Sequence, residues 1–149
     1  MNCKFFTKIV VRGNTKVKNK IRVLIADDNL EFAMPVHDIL SQDDDMEIVG
    51  MAKDGEEAYN MIKERQPDIA LLDVIMPHLD GLGVLELINS TPLEKVPLCI
   101  MLSAVGQDKI TQKAIGLGAE YYVVKPFDID VLMKRMKEFK FYEPIPAKG

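Results

Sequence analysis

The stretch Asp68-Ile69-Ala70-Leu71-Leu72-Asp73-Val74-Ile75-Met76-Pro77-His78-Leu79-Asp80-Gly81 decides how the rest of the chain is read. Ile69 to Leu72 carry no charge, the mark of a strand buried on both faces of a parallel sheet. A single carboxylate, Asp73, stands at the strand's C-terminal end. Met76-Pro77 stops the strand, because proline has no N–H for a ladder, and Asp80-Gly81 turns the chain into the next element. By itself an acid after a strand is a helix cap or turn former as readily as a reactive group. The weight placed on Asp73 comes from what ends the other strands.

On either side the pattern alternates between strand and helix. Ile21 to Ala26 reads as a first strand running into Asp27-Asp28-Asn29, and Leu30 to about Gln42 as a helix with Phe32, Val36, Ile39 and Leu40 inward. Pro35 inside that helix deletes a backbone bond at a cost of about 3 kcal/mol, which predicts a kink or a late helix start. Asp43-Asp44-Asp45 lacks the alternating ligands of a calcium loop and reads as a solvated turn. Met46 to Ala52 is a second strand, and Gly55 to about Arg65 a second helix with Ala58, Met61 and Ile62 inward. Leu82 to Asn89 makes a third helix, ended by Ser90-Thr91-Pro92. Pro97 to Leu102 is a fourth strand closing at Ser103-Ala104, and Gln107 to Leu117 a fourth helix stopped by Gly118. Ala119 to Val124 is the fifth strand, and Asp128 caps a fifth helix running to about Phe139. Five such units predict an α/β fold, a doubly wound parallel five-stranded sheet between two layers of helices.

The 149 residues, 48% hydrophobic and 28% charged, suffice for one globular domain with a substantial core. No apolar run approaches the ~18 residues that span a bilayer. Lys4 and Lys8 interrupt the apolar residues at the start before a signal-peptide core forms. Cys3 and Cys99 make no disulfide framework, which fits a reducing cytoplasm, and Cys99 reads as a small core residue. The net charge of −4 conceals an asymmetry: residues 1–22 hold seven Lys and Arg and no acid, which leaves −11 on the remainder. A body that acidic does not bind nucleic acid. Residues 1–20 are expected to form a weakly ordered basic extension, 21–141 the folded domain and 142–149 the start of a linker.

The strand ends now matter together. The first strand ends in Asp27 and Asp28, the third in Asp73, the fourth in Ser103 and the fifth in Lys125. In a parallel sheet all C-terminal ends share one edge, and ligands bind there where the strand order reverses. Three close carboxylates repel one another unless a cation neutralises them, and a hard divalent ion such as Mg²⁺ suits oxygen ligands of this kind. Asp73 is then a nucleophile for phosphoryl transfer to a carboxylate, with Lys125 and Ser103 available to phosphoryl oxygens and small Ala104 leaving room.

Asp27-Asp28, Asp73 with Met76-Pro77 and Asp80-Gly81, Ser103-Ala104, and Lys125-Pro126-Phe127 resemble the signature of the receiver domain of two-component response regulators, over roughly residues 20 to 141. The resemblance implies a flavodoxin-like (βα)5 sheet in strand order 2-1-3-4-5. Ile75-Met76-Pro77-His78-Leu79-Asp80-Gly81-Leu82, Gly106-Gln107, and Gly118-Ala119 followed by Lys125-Pro126-Phe127-Asp128 also resemble the stage-zero sporulation protein A family of spore-forming Firmicutes, a phosphorelay transcription factor. By that likeness Asp73 is the phosphorylation site, supplied by a phosphohistidine on a histidine kinase or phosphotransferase. Asp28 and Asp73 would hold Mg²⁺, or another divalent ion such as Ca²⁺ or Mn²⁺, directly. Asp27 would do so through water, and the Ile75 backbone carbonyl would complete the protein ligands.

The likeness further implies a cis bond before Pro126. Tyr122 would be the switch aromatic, turning inward as Ser103 moves toward the phosphoryl group. Helix 4, strand 5 and helix 5 would form the output face, used by similar domains to dimerise or to release an effector. DNA would be reached only through a further C-terminal domain, with no membrane role and no catalysis beyond the domain's own phosphorylation and dephosphorylation. His78, on the outer loop, is read as a surface residue and His37 as structural. Two other classes fit less well. A haloacid-dehalogenase-like phosphatase needs a second aspartate two residues after the nucleophile, where Ile75 stands. A flavodoxin-like cofactor binder needs a phosphate loop after the first strand, where Asp27-Asp28 would repel the phosphate.

Overall fold

Strands β1 (Ile21–Ala26), β2 (Met46–Ala52), β3 (Ile69–Asp73), β4 (Leu98–Ser103) and β5 (Tyr121–Val124) make one sheet in the order β2-β1-β3-β4-β5. Every neighbouring pair in it is parallel. The structure, a computed structural model, describes residues 15–17, 19–104, 108–139 and 141–144, with 15–17, 108, 110, 111 and 142–144 as backbone only. Five helices alternate with the strands: α1 (Leu30–Ser41), α2 (Gly55–Arg65), α3 (Gly81–Ser90), α4 (Asp108–Gly116) and α5 (Ile129–Glu138).

Period-two alternation divides the core. Leu24, Ala26, Ala70, Leu72, Cys99 and Met101 face one side, where α2, α3 and α4 bring Ala58, Ile62, Leu85, Ile88 and Ala114. Val23, Ile25, Ile69, Leu71, Leu98, Ile100 and Leu102 face the other, against Ala33, Val36 and Leu40 of α1 and Leu132 and Met136 of α5. The central strand β3 is fully buried from Ile69 to Leu72 because helices cover both of its faces.

Side-chain caps explain why the helices start where they do. Asn29 accepts the Glu31 N–H, Asp54 that of Glu57, Asp80 that of Gly83 and Asp128 that of Asp130. Of the kink or late start that Pro35 predicts, the late start does not occur. Asn29 nucleates the helix at Leu30, and Pro35 lies on its exposed face. There the carbonyl left without an amide partner can turn to water. Strand β5 starts two residues later than the alternation predicts, since the Ala119 N–H still bonds the Ala114 carbonyl at the end of α4. Just before it, Gly118 adopts a left-handed φ of 95°, the conformation that ends a helix on glycine.

Outside the sheet, Thr15–Val17 pairs antiparallel with Tyr142–Pro144, in the register Thr15↔Pro144, Lys16↔Glu143 and Val17↔Tyr142. The sequence places these residues in the basic extension and the start of a linker, yet three from each form a short ribbon. Strand pairing between chain ends leaves no local periodicity to read. The other basic residues before Lys20, and Gly106-Gln107, lie outside the described residues.

Candidate functional site

At the C-terminal edge of the sheet, β1 delivers Asp27 and Asp28 and the adjacent β3 delivers Asp73. One carboxylate oxygen from each lies within 4.8 Å of the others. They differ in setting: Asp27 is buried at 2% exposure, Asp73 is half-buried and Asp28 is exposed. Lys125 enters from the end of β5, its Nζ 2.9 Å from Asp27 Oδ2 and 3.5 Å from Asp73 Oδ2. The other Asp27 oxygen accepts the Asn29 N–H at 2.9 Å, so this acid both anchors the turn into α1 and holds the lysine.

Charge is unbalanced here, with one ammonium against three carboxylates among the described residues. Burial pushes the Asp73 carboxyl up to about 6; the charge on Asp27 acts in the same direction and Lys125 opposes both. The donor set consists of carboxylate oxygens, graded from buried Asp27 to exposed Asp28. That fits a hard divalent cation held by few protein ligands and several waters, with Asp27, Asp28 and Asp73 as the groups to hold it.

The loop after β3 is fixed to the strand end. Val74 N–H bonds the Leu102 carbonyl and Gly81 N–H bonds the Val74 carbonyl, each at 2.9 Å. A Cβ on Gly81 would fall 2.5 Å from the Asp73 carbonyl oxygen, so only glycine lets α3 begin this close to the acid. Ile75 sits in that loop with 57% of its surface exposed. His78, exposed, takes a left-handed φ of 66°.

Ser103 is fully buried at the end of β4, its Oγ donating to the Ala104 carbonyl at 3.1 Å. The Lys125 N–H bonds the Ser103 carbonyl, and the Lys125–Pro126 peptide is cis. Tyr122, in register with Met101, packs against the α2–α4 side of the core. Its hydroxyl is buried without a hydrogen-bond partner among the described residues.

The whole constellation matches a known sequence pattern: residues 23–137 fit the family model for the response regulator receiver domain. The chain belongs to that family. Similar solved receivers include the signal receiver domain of the putative response regulator NarL from Mycobacterium tuberculosis, with 31% identity and a TM-score of 0.75 over 81% of this chain and 96% of that one. The response regulator domain of Thermotoga maritima CheB is 32% identical, with a TM-score of 0.72 over 80% of this chain and 95% of that one. A chain of the CheX–CheY–BeF3–Mg²⁺ complex from Borrelia burgdorferi is 31% identical, with a TM-score of 0.70 over 79% and 87%. Receiver domains are signalling domains that bind Mg²⁺ at an acidic pocket and interact with histidine kinases or phosphotransfer partners. In this receiver no helix among the described residues is long and apolar enough to cross a membrane.

Sequence reasoning therefore located Asp27, Asp28, Asp73, Ser103 and Lys125 at one edge, and the structure brings them there. It missed Phe32, read only as a core residue, whose ring lies 3.9 Å from the Lys125 Nζ. No spacing signal links a helix residue to a lysine on the far edge strand. It also passed over Asp68, which is 1% exposed at the start of β3, accepts the Arg22 N–H at 2.8 Å and pairs with Lys95. Here the parallel pairing of β3 with β4 was a usable clue, since it sets Lys95 beside the entry to β3.

Proposed function

We propose that Asp73 accepts a phosphoryl group from a phosphohistidine on a histidine kinase or phosphotransferase. The observation that carries this reading is the convergence of Asp27, Asp28 and Asp73 within 4.8 Å, with the Lys125 ammonium on two of them. An ionised Asp73 oxygen attacks phosphorus, the bond to the donor nitrogen breaks, and an acyl phosphate forms. Lys125 is placed to pair with a phosphoryl oxygen as a point charge, and Ser103 to donate to another. A divalent cation, held by Asp28 and Asp73 with Asp27 through water and the Ile75 carbonyl, supplies charge neutralisation when bound. The BeF3 and Mg²⁺ held by the similar Borrelia complex support that requirement.

The new dianion then biases Ser103 and Tyr122 between two arrangements, and α4, β5 and α5 carry the signal outward. The Tyr122 hydroxyl, buried with no partner among the described residues, supports a ring with an alternative position, since a buried hydroxyl left unpaired is costly. The likeness around Ile75 to Leu82 favours a sporulation-type, cytoplasmic transcription regulator that dimerises on phosphorylation and contacts DNA through a C-terminal domain. Loss of the phosphoryl group by hydrolysis would reset it. Acetyl phosphate with Mg²⁺ should add one base-labile phosphoryl group, lost in Asp73→Asn; an adduct that persists in that variant would sink the assignment.

A further inference from the structure

Lys125 is gripped from two sides. Asp27 and Asp73 draw its ammonium toward the cleft at 2.9 and 3.5 Å, and the Phe32 ring lies 3.9 Å from Nζ, centroid to nitrogen. Phe32 stands in the first turn of α1, so the helix that starts after Asp27-Asp28-Asn29 carries this ring to the cleft wall. Phe127 meets it edge-on, with centroids 5.6 Å apart and planes at 74°, the favoured geometry for an aromatic pair. The electron-rich ring face attracts an ammonium, whereas a lysine on its four-carbon stem is otherwise free to change rotamer.

We propose that Phe32 is a positioning residue for phosphoryl acceptance. Its ring face, braced by Phe127, holds the Lys125 ammonium between Asp27 and Asp73, where the incoming group arrives. This rests on the phosphoacceptor reading above, and Phe32 acts only through Lys125.

Fluorination tests it, because fluorine drains the ring face of electron density with little change in shape. With mono-, di- and trifluorophenylalanine at position 32 of the full chain, phosphorylation by acetyl phosphate and Mg²⁺ should slow stepwise. The trifluoro ring should cost roughly fivefold in rate. Phe32→Tyr, which keeps the ring face, should stay near the native rate, and the fluorine series should be flat in a Lys125→Met background. A flat series with Lys125 present, or equal slopes in both backgrounds, overturns the proposal. A second readout needs no phosphorylation. The Lys125 ε-methylene protons should show an upfield ring-current shift that vanishes in Phe32→Leu, and a native spectrum lacking it overturns the placement. A chain that shows the shift yet takes no phosphoryl group on Asp73 refutes the phosphoacceptor reading, and this role with it, while the Phe32–Lys125 contact stands.

Discussion

Asp68 and Asp73 lie at opposite ends of one strand, each beside a lysine, and they have opposite characters. Asp68 is almost completely buried, with one oxygen accepting the Arg22 N–H and the other paired to Lys95. Its negative charge is matched. Asp73 shares Lys125 with Asp27 and faces Asp28 as well, so negative charge there exceeds what the described residues neutralise. A buried acid that is satisfied holds a fold together; a cluster of acids in excess waits for something positive. Burial alone would have picked the wrong end of the strand.

The sharpest test of this contrast is Asp68→Ala. It removes a buried carboxylate that holds Lys95 and accepts a main-chain N–H, and should cost about 3 kcal/mol in urea unfolding while the folded fraction still accepts a phosphoryl group. A stable variant, or a folded one that no longer takes the group, would break the comparison.

Asp73→Asn should act in the other direction on stability. Asp73 in the folded chain holds its proton up to about 6, against 3.8 for an ordinary carboxyl. Between those values the folded state binds more protons than the unfolded one, so metal-free stability falls as pH rises through the window. The contribution is complete below the lower value and gone above the upper. Allowing for solvent access at the half-open site, Asp73→Asn should stabilise the metal-free protein by about 1–2 kcal/mol near pH 7.5 and by nothing near pH 4. Thermal unfolding across that range checks both the sign and the window.

Added Mg²⁺ should stabilise the native chain by about 1.4 kcal/mol at ten times its dissociation constant. Asp28→Ala should remove that gain, and Asp68→Ala should keep it; a gain that survives Asp28→Ala places the cation elsewhere. The smallest effect belongs to a third acid–lysine contact, Lys137 with Asp43 at 2.6 Å on the surface. There Lys137→Ala should cost only about 0.5 kcal/mol in the same unfolding assay, because water screens the pair.

Much of this receiver is legible in its sequence because the relevant signals are local. Uncharged Ile69 to Leu72 announce a strand covered on both faces, and Asn29, Asp80 and Asp128 mark helix starts within a turn of themselves. The late start that Pro35 suggested does not occur, because the Asn29 cap fixes the first turn ahead of the proline and that turn needs no bond from the proline nitrogen. The ribbon between Thr15–Val17 and Tyr142–Pro144 escaped notice because each half is three residues long and its partner lies at the other end of the chain.

The order of strands and helices, and the residue types that end each strand, were set by the sequence alone. Parallel strands must all point one way, so those end groups had to meet at one edge. Tertiary packing decided which neighbour each group received: the Phe32 face for Lys125, Lys95 for Asp68, and no partner for the Tyr122 hydroxyl among the described residues. Such contacts join residues far apart in the chain, and their distances follow from how helices seat on the sheet, which no local periodicity encodes.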